Sequence, residues 1–147
     1  MKEKHLAEIR AFNRFYTSMI GLLNKYILDS RYALPEVRIL YELYHHKSLT
    51  ARDLTTILSI DKGYLSRILL QFEKKKLVSR KRSIEDGRST YLSLTNTGKS
   101  EFEILNKASD KELIIMLDTL TEKECNRLVR NMAEIKTILS KTNQYKY

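Results

Sequence analysis

The sequence is poor in the residues on which several classes of protein depend. Its 147 residues include one cysteine, one proline, four glycines and no tryptophan. The single Cys125 cannot form an internal disulfide bond, which excludes a disulfide-stabilised secreted domain and fits a reducing cytoplasm. The glycines stand at positions 21, 63, 87 and 98, and none belongs to a loop that would cradle phosphates. This spacing excludes the common nucleotide-binding motifs.

The chain also lacks long hydrophobic runs. Its longest run has about five residues, Leu113 to Leu117, whereas a helix that crosses a membrane needs roughly 20. The N-terminal residues Lys2, Glu3 and Lys4 lead into an amphipathic segment and not into the apolar segment of a secretion signal. We therefore expect a cytoplasmic protein without a membrane partner.

Recognisable catalytic and metal-binding patterns are missing too. No nucleophile–base pair and no pair of catalytic carboxylates stands out. The adjacent His45 and His46 point to different sides of a helix, and no cysteine or carboxylate cluster completes a metal site with them or with His5. For Cys125, packing as a small hydrophobe is favoured over redox sensing. The expectation is a protein that is not an enzyme and that holds neither a cofactor nor a metal ion.

Positive charge is abundant and unevenly distributed. The chain has 27 Lys and Arg against 18 Asp and Glu, a net charge of +9 and a pI near 9.6. Between Lys62 and Arg88 there are nine basic and three acidic residues, so +6 of the +9 lies in this segment. Such a concentration favours a polyanionic partner, and nucleic acid in particular.

Both ends of the chain predict long amphipathic helices. Over residues 4–28 apolar side chains recur every three or four positions, which is the helical period. This stripe is longer than a compact domain of this size can cover, so we expect it to meet a second chain. Further helices are predicted over residues 95 to about 117 and after a capping box at 121–124. The inner stripe of the last helix would be Cys125, Leu128, Val129, Met132, Ile135 and Leu139. We predict that residues 4–33 and 96–140 form a dimerisation module.

The middle of the chain predicts three shorter helices. Leu34-Pro35-Glu36 begins the first, since proline suits the first helical position and a carboxylate suits the positive end of the helix dipole. Its inner face would be Val37, Leu40, Leu43 and Tyr44. Residues 50–53, Thr-Ala-Arg-Asp, form a capping box for a second helix that ends near Ser59. Asp61 caps the third, whose inner face would be Leu65, Ile68, Leu69 and Phe72.

Two segments have the alternation of a β-strand. They are Val78–Arg82 and Thr90–Leu94, and the seven residues between them include Asp86-Gly87, so they predict a hairpin with a long loop. The predicted fold is therefore mainly α with a small β-hairpin wing. A single domain, residues 1–147, would contain a winged helix-turn-helix at residues 34–95 between the helices of the dimerisation module.

The third helix of the middle segment carries hydrogen-bonding groups on its outer face. Lys62, Tyr64, Ser66 and Arg67 lie in its first turns, outside the apolar stripe. Side chains at such positions reach base edges in a DNA major groove, and an arginine there bonds bidentately to guanine. The alternative is a solvated helix face with unspecific charge. The concentration of positive charge favours DNA.

The hairpin adds cations to this surface. Arg88 suits a narrowed minor groove, where the negative potential is deepest, and Asp86 is expected to hold the Arg88 side chain by a charge-assisted hydrogen bond. A plain turn at Asp86-Gly87 is compatible with this role. The expected phosphate contacts, which set register but carry no sequence information, are Thr50, Arg52, Thr55, Arg80 and Arg82, with Lys81.

These motifs resemble one known family. Gly63-Tyr64-Leu65-Ser66-Arg67, Leu77-Val78-Ser79-Arg80, Glu85-Asp86-Gly87-Arg88 and Leu92-Ser93-Leu94-Thr95 are similar to the MarR (multiple antibiotic resistance regulator) family of winged-helix transcription factors, and the resemblance extends over the whole chain. It implies an obligate dimer that binds a pseudo-palindromic duplex, with the Asp-x-Arg pair of the wing at Asp86 and Arg88. It also implies release from DNA by a small ligand, often a phenolic acid.

One residue departs from the pattern of this family. In this family a glycine is usual between the recognition helix, which corresponds here to the third helix of the middle segment, and the first wing strand, whereas this chain has Lys76. Lys76 must then adopt a left-handed C-cap conformation, or the helix must end differently. The angle at which the wing leaves the helix depends on which of these occurs.

A narrower resemblance supplies an alternative function. Residues 34–43 and 61–69 look like the regulator half of proteins that fuse this domain to a GNAT-type acetyltransferase, where the winged helix would work mainly through protein contacts. The charge at residues 62–88 favours a dimeric, sequence-specific DNA-binding transcriptional regulator instead. We expect a repressor that blocks a promoter and is released by an effector.

The effector is expected to be a small aromatic or anionic molecule. By analogy with the family it would bind in a cleft between the dimerisation helices and the winged helix. Ordinary core and interface packing is the alternative for each aromatic side chain in question. The expected cleft residues are Phe12, Tyr16, Tyr41 and Tyr44, with Phe15, Tyr26 and Tyr32 as further aromatic residues of the same regions.

Overall fold

The computed structural model describes residues 2–23 and 30–141, which contain six helices and three strands. The helices are α1 (Lys2–Leu23), α2 (Leu34–His45), α3 (Ala51–Leu58), α4 (Lys62–Lys74), α5 (Asn96–Leu117) and α6 (Glu122–Leu139). The strands are β1 (Leu49–Thr50), β2 (Val78–Arg82) and β3 (Thr90–Leu94). The predicted helix over residues 4–28 is confirmed as far as Leu23. Its remainder, with Tyr26, lies outside the described residues.

The three strands form one antiparallel sheet in the order β1-β3-β2. β2 and β3 pair from Val78 opposite Leu94 to Arg82 opposite Thr90, so the predicted wing hairpin is confirmed with its boundaries. β1, which places Leu49 opposite Leu92, is not predicted by the sequence. Two residues are too few to show a period of two, and only the folded chain brings them beside β3.

The core lies between α2, α3, α4, the inner face of the sheet and the start of α5. Its most deeply buried large side chains are Phe72, Ile39, Leu40, Leu54, Leu65, Leu69 and Leu92. The predicted inner face of α4 is buried in full. On α2, Val37, Leu40 and Leu43 are buried as predicted, but Tyr44 is 39% exposed and Ile39 is completely buried. Because α2 packs against α3, α5 and β3 together, its buried surface is wider than one stripe and includes Ile39.

Two caps fix the turn between α3 and α4. The predicted capping box is formed: Asp53 donates its backbone N–H to Thr50 Oγ1 at 3.1 Å, and its carboxylate accepts from the Thr50 N–H at 2.8 Å. α3 is followed by Ser59 in a left-handed conformation, with φ of 48°. Asp61 Oδ2 then accepts from the Tyr64 N–H at 2.8 Å. Since these short polar side chains satisfy free N–H groups of both helices, α4 begins at a defined residue.

The C-terminal end of α4 is also fixed by specific contacts. Lys76 has a φ of 56°, so of the two alternatives that the sequence leaves open, the left-handed C-cap on a residue other than glycine is the one found. The Leu77 N–H donates to the Phe72 carbonyl at 2.8 Å, which is the bond expected of such a cap. Thr95 donates its hydroxyl to the Lys76 carbonyl at 2.6 Å, and a Cβ atom on Gly98 would lie 2.1 Å from the Leu77 carbonyl oxygen. The start of the wing is therefore clamped between α4 and α5.

The terminal helices α1 and α6 leave their apolar stripes open. α6 buries none of its residues against the described part of the chain, and Val129 on its predicted inner stripe is 66% exposed. On α1, Ile9 is 56% and Phe15 is 62% exposed. Against residues 2–23 and 30–141 of one copy of the chain, the two stripes therefore remain largely uncovered.

None of the helices within residues 2–23 and 30–141 has the length and apolar content that crossing a membrane requires.

Candidate nucleic-acid interface

The outer face of α4 presents the predicted base-reading residues together. Lys62, Tyr64, Ser66 and Arg67 are all exposed, because the four apolar side chains of α4 take the inward positions. The Arg67 guanidinium lies 5.9 Å from the centroid of the Tyr64 ring, within the range of a cation–π contact. The two residues are three positions apart, so the ring orders Arg67 along the helix surface. This contact is not among the sequence predictions, although the spacing of the two residues is that of neighbours on a helix surface.

Asp86 organises the backbone of the wing loop. Its Oδ1 atom accepts from the Arg88 N–H at 3.1 Å, and its Oδ2 atom accepts from the Ser89 hydroxyl at 3.0 Å. The Ser83 hydroxyl accepts from the Asp86 N–H at 3.0 Å. The predicted bond from Asp86 to the Arg88 side chain is absent from the described residues. It is replaced by an Asx-type turn, because the backbone N–H two residues on is the nearer donor. Asp86 shapes the loop and leaves the Arg88 side chain without that anchor.

Arg80 has a structural contact that the sequence does not predict. It lies directly opposite Leu92 in the hairpin register, so its side chain projects from the face of the sheet that α4 covers. There Arg80 Nε donates to Glu73 Oε1 at 2.6 Å. The pair is partly exposed, so its contribution to stability is at most about 1 kcal/mol. Its main effect is to tie the wing to the end of α4, in addition to any contact with phosphate.

Most of the predicted cations of the interface have no carboxylate partner. Within the described part of the chain, no ion pair is formed by Arg52, Lys62, Arg67, Arg82 or Arg88, and all five are exposed. Their charge is therefore available to an external anion. At the wing loop lies Ile84, which is 93% exposed and is not predicted as a surface contact.

The predicted phosphate contacts on α3 differ in availability. Thr50 donates its hydroxyl to the Asp53 carboxylate at 2.7 Å, and Thr55 donates its hydroxyl to the Arg52 carbonyl at 2.7 Å. Both threonines are half-buried, whereas Arg52 is exposed. The two hydroxyl protons are used within the helix, so Arg52 is the group of α3 best able to bind a phosphate. Hydrogen bonds from Thr50 also hold the pKa of Asp53 below its ordinary value.

The four predicted cleft residues form two separate aromatic groups. Phe12 and Tyr16 stack on α1 with ring centroids 5.6 Å apart. Tyr41 and Tyr44 pack on Phe102 at 6.0 and 4.6 Å. A cavity of about 160 Å³ lies elsewhere, between the start of α2 and the α3–α4 turn, and its lining residues are Leu34, Pro35, Arg38, Leu58, Ser59, Ile60 and Tyr64. The sequence does not predict this cavity, because its walls come from three separate elements.

Within residues 2–23 and 30–141, no group of three or more His, Cys, Asp or Glu side chains lies close enough together to hold a metal ion.

The fold and the free cations of α4 and the wing define a winged helix-turn-helix protein of the DNA-binding class.

Comparisons with known proteins agree with this class. Residues 33–90 match the model of the MarR family. The uncharacterized HTH-type transcriptional regulator YdgJ of Bacillus subtilis is 31% identical over 100 residues, which span 68% of this chain and 61% of that relative's length. The HTH-type transcriptional regulator MgrA of Staphylococcus aureus is 27% identical over 126 residues, covering 86% of this chain and 80% of that protein. A crystal structure of wild-type MarR from E. coli in its apo form has a TM-score of 0.72 at 22% identity, over 86% of this chain and 94% of that one, and shows the shared fold.

Residues 33–90 match the MarR family, as the sequence motifs predict, and the chain is similar to HTH-type transcriptional regulators over most of its length. The narrower resemblance to acetyltransferase fusions is not confirmed by these matches, and the DNA-binding regulator is favoured over it.

Proposed function

We propose that this chain is a homodimeric repressor that binds a pseudo-palindromic DNA site in a sequence-specific manner. The observation that carries the proposal is the set of exposed, unpaired cations on α4 and the wing of a winged helix-turn-helix, among them Arg67, Arg82 and Arg88. Its relatives are transcriptional regulators, and we assign the chain no catalytic role. We also propose that it acts in the cytoplasm, where it would reach a DNA partner.

The proposed division of the chain follows the sequence prediction. Residues 34–95 form the reading unit, and residues 4–33 and 96–140 form the dimerisation module. The open apolar stripes of α1 and α6 support this division, since large unpaired apolar helix faces are typical of subunit interfaces. Two reading units related by a two-fold axis would bind two half-sites that lie about one turn of the DNA helix apart.

The proposed contacts fall into three kinds. From α4, Lys62, Tyr64, Ser66 and Arg67 reach base edges in the major groove. From the wing, Arg88 enters the minor groove on the loop that Asp86 shapes. The proposed phosphate contacts are Arg52, Arg80 and Arg82, with Thr50 and Thr55 lying beside Arg52 on α3.

We also propose that a small aromatic or anionic effector releases the dimer from DNA. The proposed cleft residues are Phe12 and Tyr16 of one group with Tyr41 and Tyr44 of the other. These rings are exposed by 38–46%, so they are available to a ligand if dimerisation brings the two groups together. A screen of aromatic carboxylates for loss of DNA affinity tests this. Variants with Ala at Tyr41 or Tyr44 should lose the response but keep the affinity.

Selection of bound duplexes from a random DNA pool, at near-physiological salt, tests the main proposal. Enrichment of a two-fold site with half-sites about 10 base pairs apart is expected. Binding that ignores sequence and weakens steeply with salt would reject sequence-specific reading.

A further inference from the structure

Tyr32, in the segment between α1 and α2, touches three parts of the fold. It is only 3% exposed, and its hydroxyl donates to Glu101 Oε2 of α5 at 3.1 Å. Its ring meets the ring of Phe72 edge-on, with centroids 6.3 Å apart. The ammonium group of Lys75 lies 5.3 Å from the Tyr32 ring centroid. Phe72 lies in the last turn of α4 and Lys75 is its C-cap, so Tyr32 sits between the end of the recognition helix and α5.

Both oxygens of the Glu101 carboxylate are engaged. Oε1 accepts from the Arg31 guanidinium, and Oε2 accepts from Tyr32. The bond to Arg31 and, to a smaller extent, the bond to Tyr32 lower the pKa of Glu101. Burial, followed by the bond to Glu101, raises the pKa of Tyr32. The carboxylate therefore stays ionised and the phenol stays a donor around neutral pH.

The segment that carries Tyr32 has its own local support. The Ser30 hydroxyl accepts from the Tyr32 N–H at 3.1 Å and contacts the Tyr32 carbonyl oxygen at 3.2 Å. The position of the ring thus depends on a short turn and not on side-chain packing by itself.

A second tyrosine makes the same bond without touching α4. Tyr44 donates its hydroxyl to Glu103 Oε1 at 3.0 Å, two residues further along α5. Its ring packs on Phe102 and His45, which belong to α5 and α2. Tyr44 therefore links α2 to α5 by the same chemistry, but no ring or cation contact joins it to the recognition helix among the described residues.

We propose that Tyr32, through Glu101, is a positioning residue that sets the orientation of α4 relative to α5. The inference rests on the proposed function, in which α5 belongs to the dimerisation module and α4 reads DNA. α4 has 13 residues, and a helix rises about 1.5 Å per residue. A tilt of about 10° at its far end would therefore move its base-reading end by about 3 Å. In a dimer, such a tilt changes the separation of the two recognition helices.

The test compares Tyr32→Phe with Tyr44→Phe, because each variant loses one tyrosine–glutamate hydrogen bond to α5 and keeps its ring. The probes are a duplex selected by the wild-type protein, the same duplex with one base pair added or removed between the half-sites, and a single half-site. The dissociation constant for each is measured at one salt concentration, and the melting temperature shows that each variant is folded.

For Tyr32→Phe we expect binding to the selected duplex about 3- to 10-fold weaker, the size of one lost hydrogen bond. The preference for the selected spacing should fall by a similar factor, while single half-site binding stays within about twofold of wild type. All measurements are made without effector, since Tyr44 is also a proposed cleft residue. Under that condition Tyr44→Phe, which loses only the bond to Glu103 and keeps its ring, should keep the wild-type spacing preference. Glu101→Ala should lose at least as much spacing preference as Tyr32→Phe, since it removes the same bond and the ion pair with Arg31. The double variant should lose no more than Glu101→Ala does, because the Tyr32 bond is already absent there.

Other results overturn the inference. If Tyr32→Phe kept the wild-type spacing preference, or if Tyr44→Phe lost as much of that preference, the bond between Tyr32 and Glu101 would contribute only to stability and would not position α4. The proposed function fails differently, since the wild-type protein would then select no two-fold site at all.

Discussion

The reading unit and the terminal helices are both built from amphipathic segments, yet only the reading unit completes its core within one chain. In the reading unit, the apolar residues on the inner face of α4 are buried to between 0% and 4% exposure. On α6, the apolar stripe is 39–66% exposed from Leu128 to Leu139. The difference is one of topology. α2, α3, α4 and the hairpin pack around one shared core, whereas α6 buries no residue against the described part of the chain. Helical periodicity therefore predicts that a face is apolar, and not what covers it.

The largest expected effect lies in the reading unit. Phe72→Ala removes a fully buried ring and should lower the free energy of unfolding by about 3–5 kcal/mol. Urea denaturation measures this. Ile84→Ala, at a position that is 93% exposed, is the control and should change the free energy by less than about 0.5 kcal/mol. A similar cost for both changes would contradict the described core.

The next effect concerns the terminal helices. Val129→Asp places a charge on the stripe of α6 and should convert dimers to monomers, because an unpaired charge is costly in an apolar interface. Affinity for a two-fold duplex should then fall about 100-fold or more, while the circular dichroism of the reading unit is kept. Asn131→Asp adds the same charge to α6 outside the stripe and should leave the dimer intact in sedimentation. Dissociation by both variants would reject the stripe as the interface.

Arg67→Ala and Arg88→Ala should each reduce specific DNA affinity by about 1–3 kcal/mol. Arg67→Ala should also relax base preference at one position of each half-site, since a base contact is lost. Arg127→Ala removes the same charge from α6 and serves as the control in a fluorescence binding titration. Wild-type affinity in both interface variants would overturn the assignment of α4 and the wing.

Breaking the two capping boxes should have a smaller effect on stability, and the two losses should differ between the reading unit and the terminal helices. Thr50→Ala should lower the free energy of unfolding by about 1 kcal/mol at any protein concentration, because α3 is part of the core of one chain. Thr121→Ala breaks the matching box of α6, in which Thr121 and Glu124 bond reciprocally at 2.9 and 3.3 Å. Its cost should instead depend on protein concentration, since α6 is proposed to be stabilised by dimerisation. If both losses depended on protein concentration in the same way, α3 and α6 would not differ in how they are stabilised.

The smallest effect is a dependence on pH. The folded pKa of Asp53 lies below its ordinary value, so its stabilising bonds are fully present above the ordinary carboxyl pKa of about 4 and are lost as pH falls through the lower folded value. The stability difference between the wild type and Asp53→Asn should be largest near neutral pH and shrink in acid. Denaturation at several pH values measures it, and a constant difference would exclude the capping carboxylate as its source.

Local structure was predictable where residues close in sequence determine it. The capping boxes at Thr50 and Thr121 and the cap at Asp61 involve partners three residues apart, and each is found as predicted. At Lys76 the sequence left two alternatives, and the structure shows the left-handed one. The roles assigned to the DNA-contacting residues stay predictions, although the structure shows that the base-reading side chains of α4 and Arg88 of the wing are exposed.

Only the tertiary structure decided which elements face each other. Arg80 bonds to Glu73, and Tyr32 bonds to Glu101, which is 69 residues away in the sequence. A periodic pattern along the chain cannot predict such pairs. The exposure of Tyr44, the pairing of β1 and the separation of the aromatic groups have the same origin. A hydrogen-bonding pattern within one turn is set by covalent spacing, so this sequence determined its helices, caps and wing by itself. Contacts between elements depend on how the whole core closes, so the fold determined which side chains link the recognition helix to its neighbours.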